Sequence, residues 1–244
     1  MSKVIASCLP GIGLGNKMFI NAFAYIISKV TGKEFVPIFI EYFKNTHTKH
    51  NNLILKNPLY TLTYGNNYVN LNELYQHPDD IVINSYVQRQ EYYTEYREEL
   101  RNFFNEVAYN GIQTDNTVLH IRNGDYRAIG EYLGLDNYIK FIDTVGCQNL
   151  TIVVEHIDDD VKELAKKYNA TIYSKSILED FTFIKNAGTA LISQSTFAWW
   201  AVFLGKPNEI YFPFTQTNKM WKETPTQDDI DLFFNTTKSY KIVI

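Results

Sequence analysis

Three short stretches carry the residue types that bind and polarise anions. In "VLHIRNGDYRAIG", residues 118–130, His120 and Arg122 stand two apart at the end of an apolar run. On a strand that spacing points both side chains to one face. The planar fork of an arginine there suits a diphosphate, because it donates two parallel charge-assisted bonds. Asp125, in the Asn-Gly turn that follows, either orients the fork or caps the turn. A buried histidine beside a structural Arg–Asp pair has the same spacing, so the segment alone leaves both readings open. In "GIGLGN", residues 11–16, glycines let the backbone approach a ligand and aim helix N–H groups at it, although they also make a tight strand-to-helix turn. The spacing departs from G-x-G-x-x-G, and Glu41 is badly placed as the acidic partner of a dinucleotide fingerprint. In "SQSTFAWW", residues 193–200, Ser193, Ser195 and Thr196 sit at a strand-to-helix junction where hydroxyls and amides can hold phosphate oxygens. Ser195 is equally suited to be a simple N-cap. The acidic run Asp158 to Asp160 reads as the first turn of a helix rather than as a metal-ligand set.

These stretches need a scaffold that brings strand ends together. From residue 116 onward the sequence alternates without pause: "TVLHI" strand, "NYIKFIDTV" helix, "LTIVVE" strand, a helix with Val161, Leu164, Ala165 and Tyr168 inward, then "ATIY" strand. Ser176 with Glu179 forms a capping box opening the next helix, followed by "TALIS" strand, "TFAWWAVFL" helix and "EIYF" strand. The first half opens with a strand from Val4 to Leu9 and a helix carrying Phe19, Phe23 and Ile26. "EFVPIFIEYF" follows as a second strand, residues 45–70 as a polar loop, and "IVINSYV" as a further strand. The stripe Tyr93, Tyr96, Leu100, Phe103 and Phe104 reads as one helix. Repeated β-α units imply parallel sheets covered by helices, with the ligand crevice beyond the carboxyl ends of the strands.

Composition narrows the partners. The chain has 244 residues, 45% hydrophobic, with 23 Lys and Arg against 27 Asp and Glu. That balance argues against a general nucleic-acid surface while leaving room for a local basic pocket. No run reaches the ~18 apolar residues of a membrane span, and the N-terminus lacks the pattern of a signal peptide. The two cysteines, Cys8 and Cys147, read as reduced core thiols. The expected location is the cytoplasm, which makes the Asn149, Asn169 and Asn235 sequons accidental.

Taken together, the three stretches resemble motifs of the α-1,2-fucosyltransferases of glycosyltransferase family 11. "GIGLGNKMF" is similar to G-G-L-G-N-Q-M-F at Gly13, Leu14, Gly15, Asn16, Met18 and Phe19. His120, Arg122, Gly124, Asp125 and Tyr126 match H-x-R-R-G-D-Y; Ser193, Ser195, Phe197, Trp199 and Trp200 match S-N-S-x-[FY]-S-W-W. "INSYVQRQEYY" resembles a further family segment between them. Three positions depart from the pattern: Lys17 stands for glutamine, Gln194 for asparagine and Asn123 for the second arginine. Loss of that cation removes a charge-assisted contact worth on the order of 1.5–3 kcal/mol.

The resemblance implies an α/β, GT-B-type architecture: two Rossmann-like lobes with a cleft between them, an acceptor-side lobe over 1–113 and a GDP-sugar lobe over 114–244. It implies a metal-independent, inverting transfer of L-fucose from GDP-fucose to a glycan hydroxyl, in α-1,2 linkage to a galactoside. No cofactor is implied, and the partners are a nucleotide sugar and a glycan acceptor. Arg122, His120 and Asp125 would be catalytic. Gly13, Gly15, Asn16, Asn123, Tyr126, Ser193, Ser195 and Thr196 would bind substrate. Asn123 keeps two alternatives open: a transferase of the same fold using another nucleotide sugar, and a sugar-nucleotide or glycan-binding module without turnover, to which the short N-terminal half also points.

Overall fold

The computed structural model describes residues 1–47, 60–62, 68–105, 116–215, 220–221, 224–234, 236 and 238–244. The chain divides into two compact units, Met1–Ala108 with Thr224–Leu232, and Tyr109–Glu223 with Phe233–Ile244. Both are α/β, each built on a parallel sheet.

The sheet of the first unit has the order β2-β1-β4-β3, formed by β1 (Lys3–Ala6), β2 (Glu34–Val36), β3 (Tyr60–Leu62) and β4 (Ile81–Ile83), with every pairing parallel. The glycine loop delivers β1 into α1 (Leu14–Thr31), which buries Met18, Phe19, Phe23 and Ile27 and stops at Gly32 in the left-handed conformation, φ 69°. The second strand is shorter than the apolar run "EFVPIFIEYF" suggests. Pro37 cannot donate to a ladder, and the next backbone groups leave the sheet for α1: Asn21, fully buried, donates to the Ile38 carbonyl at 2.9 Å and accepts from its N–H at 2.8 Å.

Within the expected polar loop 45–70, Tyr60–Leu62 instead pairs with β4. Residues 48–59 and 63–67, which made up most of that expectation, lie outside the described residues. After α2 (Leu71–Gln76) and β4, the aromatic stripe forms two 3-10 turns, Gln90–Tyr92 and Thr94–Tyr96, leading into the short α3 (Arg97–Phe103). A single helix from Tyr93 was expected there. Tyr92 and Tyr93 are both buried there, and the chain turns tightly through the two 3-10 segments before α3 begins.

The second unit has the strand order β10-β9-β8-β5-β6-β7. Its strands are β5 (Thr117–Ile121), β6 (Leu150–Val154), β7 (Thr171–Tyr173), β8 (Thr189–Leu191), β9 (Glu209–Phe214) and β10 (Ser239–Val243), all parallel to their neighbours. Counted within the unit this is the doubly-wound order 3-2-1-4-5-6, read backwards, and the winding reverses between β5 and β8. The connecting helices are α4 (Gly124–Ala128), α5 (Leu135–Val145), α6 (Asp159–Tyr168), α7 (Ile177–Lys185) and α8 (Thr196–Leu204).

Three of these helices carry their start signal in sequence. Asp158 caps α6 through the Val161 N–H, Ser176 and Glu179 make the capping box of α7, and Ser195 caps α8 through the Ala198 N–H. Helix α8 is apolar all round and lies in the core, where Trp199, Trp200 and Phe203 are all but fully buried.

Candidate active site

The reversal between β5 and β8 collects two of the three stretches. His120, the fourth residue of β5, and Ser193, just beyond β8, are both buried, and His120 Nδ1 lies 2.8 Å from Ser193 Oγ. Burial, with the neighbouring Arg122 cation second, pushes the His120 pKa down to about 3. The imidazole is therefore neutral across the physiological range and acts as a hydrogen-bonding group. Phe197 lies against its ring at a centroid distance of 5.9 Å. The Tyr138 hydroxyl is fully buried beside Ser193 and the Arg122 backbone without a well-aligned hydrogen bond among the described residues, and burial holds its pKa well up.

One residue past the end of β5, Arg122 emerges with its side chain 30% exposed. One nitrogen reaches Glu155 Oε2 at 3.1 Å and the other the Asp125 carboxylate at 2.9 and 3.0 Å. The Tyr126 ring lies 5.5 Å beneath the guanidinium. Both carboxylates are about 60% exposed, so they hold the fork open toward solvent without closing it off. Glu155, which follows β6, carries no motif in the sequence; only the parallel pairing of β5 with β6 brings it here.

Asn123 points inward. It is 1% exposed, donates to the His156 carbonyl at 2.6 Å and to Asp158 Oδ2 at 2.9 Å, and accepts from the Gly124 N–H as the N-cap of α4. Every polar atom of its side chain is therefore engaged within the unit. The acidic run is equally committed: Arg127 binds Asp158 at 2.8 Å and Asp160 at 2.6 Å, lies 3.7 Å above the Tyr132 ring, and Tyr132 donates to Asp160. Among the described residues no group of three or more His, Cys, Asp or Glu is placed to hold a metal ion.

Asp180 lies on α7 near this edge. Burial, aided by Glu179 and Glu155, raises its pKa to about 6 against the lowering effect of the Lys175 N–H bond.

In the third stretch Ser195 is spent on capping α8 and Thr196 is partly exposed in its first turn. Gln194 lines a cavity of about 220 Å³ with Glu131, Tyr132, Asn137 and Thr215.

The glycine loop belongs to the first unit. Gly13 caps α1 with no side-chain bond, Gly15 sits in its first turn, and the Asn16 Oδ1 accepts from Gln88 at 3.0 Å. No side chain comes within 4 Å of where a Gly13 Cβ would be. The Gln88 segment is held by groups the sequence did not reveal. Arg89, 8% exposed, donates to the carbonyls of Thr226, Gln227 and Asp229 at 3.0 to 3.1 Å. Gln90 N–H and Gln88 O pair with Asp231. Val87 at the same turn has φ 48°, the left-handed region that a β-branched residue rarely enters.

No family model matches the chain. Its sequence is similar to an alpha-1,2-colitosyltransferase of Escherichia coli, with 32% identity over 146 residues, covering 48% of this chain and 49% of that protein. The chain thus spans about half the length of the curated relative it matches.

Proposed function

We propose that the protein is a glycosyltransferase that takes a sugar from a nucleotide-linked donor, with GDP-fucose the first candidate, and joins it to a glycan hydroxyl in α-1,2 linkage with inversion. The observation that carries this reading is the position of Arg122: a half-open guanidinium fork at the strand reversal, where open α/β sheets bind their ligands. The similarity to a colitosyltransferase supports the same reaction type.

In this reading Arg122 binds the donor diphosphate with parallel N–H bonds. As the glycosidic C–O bond breaks, negative charge grows on the departing phosphate, and a preorganised cation there lowers the barrier more than it stabilises the bound donor. Asp125 and Glu155 hold the fork in its extended pose. His120 stays neutral and steadies the β5–β8 junction through Ser193. The hydroxyl of Thr196, in the first turn of α8, supplies a further donor to an anion within the same unit. The reaction is proposed to run without a metal, since Asp158 and Asp160 are already engaged by Arg127. The general base is left unassigned.

A second reading keeps the reaction and changes the sugar. It is favoured by the similarity to a colitosyltransferase and by Gln194, which stands where the resembled fucosyltransferases carry asparagine.

The test is a thermal-shift panel of GDP, GDP-fucose, GDP-mannose and UDP-sugars, followed by transfer assays with Arg122→Ala. A GDP-selective shift enlarged by fucose, a loss of transfer by about 10³-fold in the folded variant, and activity unchanged by EDTA are expected. Near-normal transfer by folded Arg122→Ala overturns the assignment.

A further inference from the structure

We infer that the cavity lined by Glu131, Tyr132, Asn137, Gln194 and Thr215 is the subsite for the transferred sugar ring, and that Gln194 is the residue that reads its hydroxyls. The inference rests on the nucleotide-sugar reading above and adds the place and chemistry of sugar recognition.

Four observations support it. The cavity lies wholly within the second unit, on the same sheet edge as Arg122: Thr215 follows β9, and Gln194 is the chain neighbour of Ser193, which bonds His120. A sugar attached to a diphosphate on Arg122 has to lie close to that edge. The volume, about 220 Å³, falls below the roughly 300–1,000 Å³ of pockets for drug-sized ligands and suits one six-membered ring. The chemistry of the lining also selects: amides, hydroxyls and a single carboxylate beside Gly130 and the apolar Leu133, with no lysine, arginine or histidine. Such a lining offers a phosphate no cation and pairs with sugar hydroxyls, each of which both donates and accepts.

The fourth observation is Gln194 itself. It is 7% exposed, yet its amide makes no hydrogen bond among the described residues. The amide atoms themselves are not fully enclosed, so solvent satisfies them until a ligand takes its place. The cavity is where a partner can reach it. Asn137 offers its Oδ1 likewise, since only its Nδ2 is used, donating to the Leu133 carbonyl at 2.8 Å. Tyr132 is fixed by Arg127 and Asp160, so this wall is formed before a ligand arrives.

The experiment compares dissociation constants for GDP and GDP-fucose, by calorimetry, in the wild type and in Gln194→Leu, which keeps the side chain's size and removes its hydrogen bonds. The wild type should bind GDP-fucose more tightly than GDP. Gln194→Leu should bind GDP within about twofold of the wild type and lose about tenfold in GDP-fucose affinity, the scale of one or two neutral hydrogen bonds. Equal loss for both ligands overturns the inference, because Gln194 then serves the nucleotide or the fold. An unchanged preference for GDP-fucose also overturns it and leaves the transferase reading standing. A wild type that binds neither ligand removes the underlying reading and the inference with it. Should Gln194→Leu fail to fold, Thr215→Val gives the same comparison from another lining residue.

Discussion

His120 Nδ1 and Ser193 Oγ meet at 2.8 Å between two strands that are 73 residues apart in sequence and neighbours in the sheet. This bond joins the arginine motif to the serine motif at the point where the winding of the sheet reverses. Its environment, dry and next to a cation, also makes His120 a source of acid sensitivity. The imidazole has a pKa of about 3 when folded and about 6.5 when unfolded. The unfolded chain therefore takes up a proton that the folded chain refuses, and the stability this site contributes is complete above about pH 6.5 and lost as pH falls toward 3. At pH 5 the loss is about 2 kcal/mol, from about 1.4 kcal/mol per unit. Urea unfolding of the wild type and of His120→Asn between pH 4 and 7.5 measures it: the stability gap between them should narrow steadily below pH 6.5. A gap independent of pH would mean that His120 titrates normally in the fold.

The second unit was legible in sequence because its buried strands are unbroken apolar runs and its helices announce their caps. The α8 boundaries, Thr196 to Leu204, coincide with the run "TFAWWAVFL". Two elements were not legible. Strand β10 is an edge strand in which Tyr240, Lys241 and Val243 are exposed, so "SYKIV" has no strong apolar face. Helix α4 begins at an Asn-Gly pair that reads as a turn, and only the inward rotation of Asn123 converts it into an N-cap. Arg89 was hidden for a different reason: besides Glu91 and Asp231 it is held by the backbone carbonyls of Thr226, Gln227 and Asp229, and carbonyls have no sequence signature. For the site, residue types and spacing indicated His120 and Arg122 on one face, whereas Glu155 depends on strand pairing that no local pattern encodes.

Asn123 tests the difference between a motif position and a structural one. It stands where the resembled fucosyltransferases carry a second arginine, but the side chain is buried and its three hydrogen bonds hold α4, the His156 carbonyl and Asp158 together. Asn123→Arg should therefore lower stability by about 2–4 kcal/mol, through overpacking and lost buried bonds, and should not tighten GDP binding. Thermal unfolding and calorimetry on the same sample check both. Retained stability with tighter GDP binding would return this position to the ligand.

Gly205 ends α8 at φ −73°, a conformation open to any residue, so its requirement is purely steric. A Cβ there would stand 2.3 Å from the Lys185 carbonyl oxygen at the end of α7. Backbone on both sides leaves little room to yield. Gly205→Ala should cost about 2–3 kcal/mol, as overpacking does, with donor affinity in the surviving folded fraction unchanged. Chemical denaturation reads the first and calorimetry the second. A neutral result would mean that the α7–α8 contact is looser than this approach implies.

Asp180 gives the opposite pH signature to His120. Its carboxyl has a folded pKa of about 6 against an unfolded value of 3.8, because burial and the acidic neighbours Glu179 and Glu155 disfavour the charge. Ionisation therefore costs the fold nothing below about pH 4, and the cost is complete above about pH 6. Asp180→Asn removes the charge and keeps an oxygen for the Lys175 N–H, 3.0 Å away in the wild type. The variant should be more stable than the wild type by about 1–2 kcal/mol at pH 7.5, a figure set below the full linkage value because the carboxyl keeps part of its water. It should be equal to the wild type at pH 4. The His120 range, about pH 3 to 6.5, overlaps the Asp180 range, about pH 4 to 6, so the two effects oppose each other and the wild type should change less across this window than either variant. Asp180→Asn should lose stability more steeply as pH falls through it, and His120→Asn should gain stability as pH falls. Melting temperatures of the three proteins across pH 4 to 8 decide it, and parallel pH profiles in all three would show that neither group governs the pH dependence.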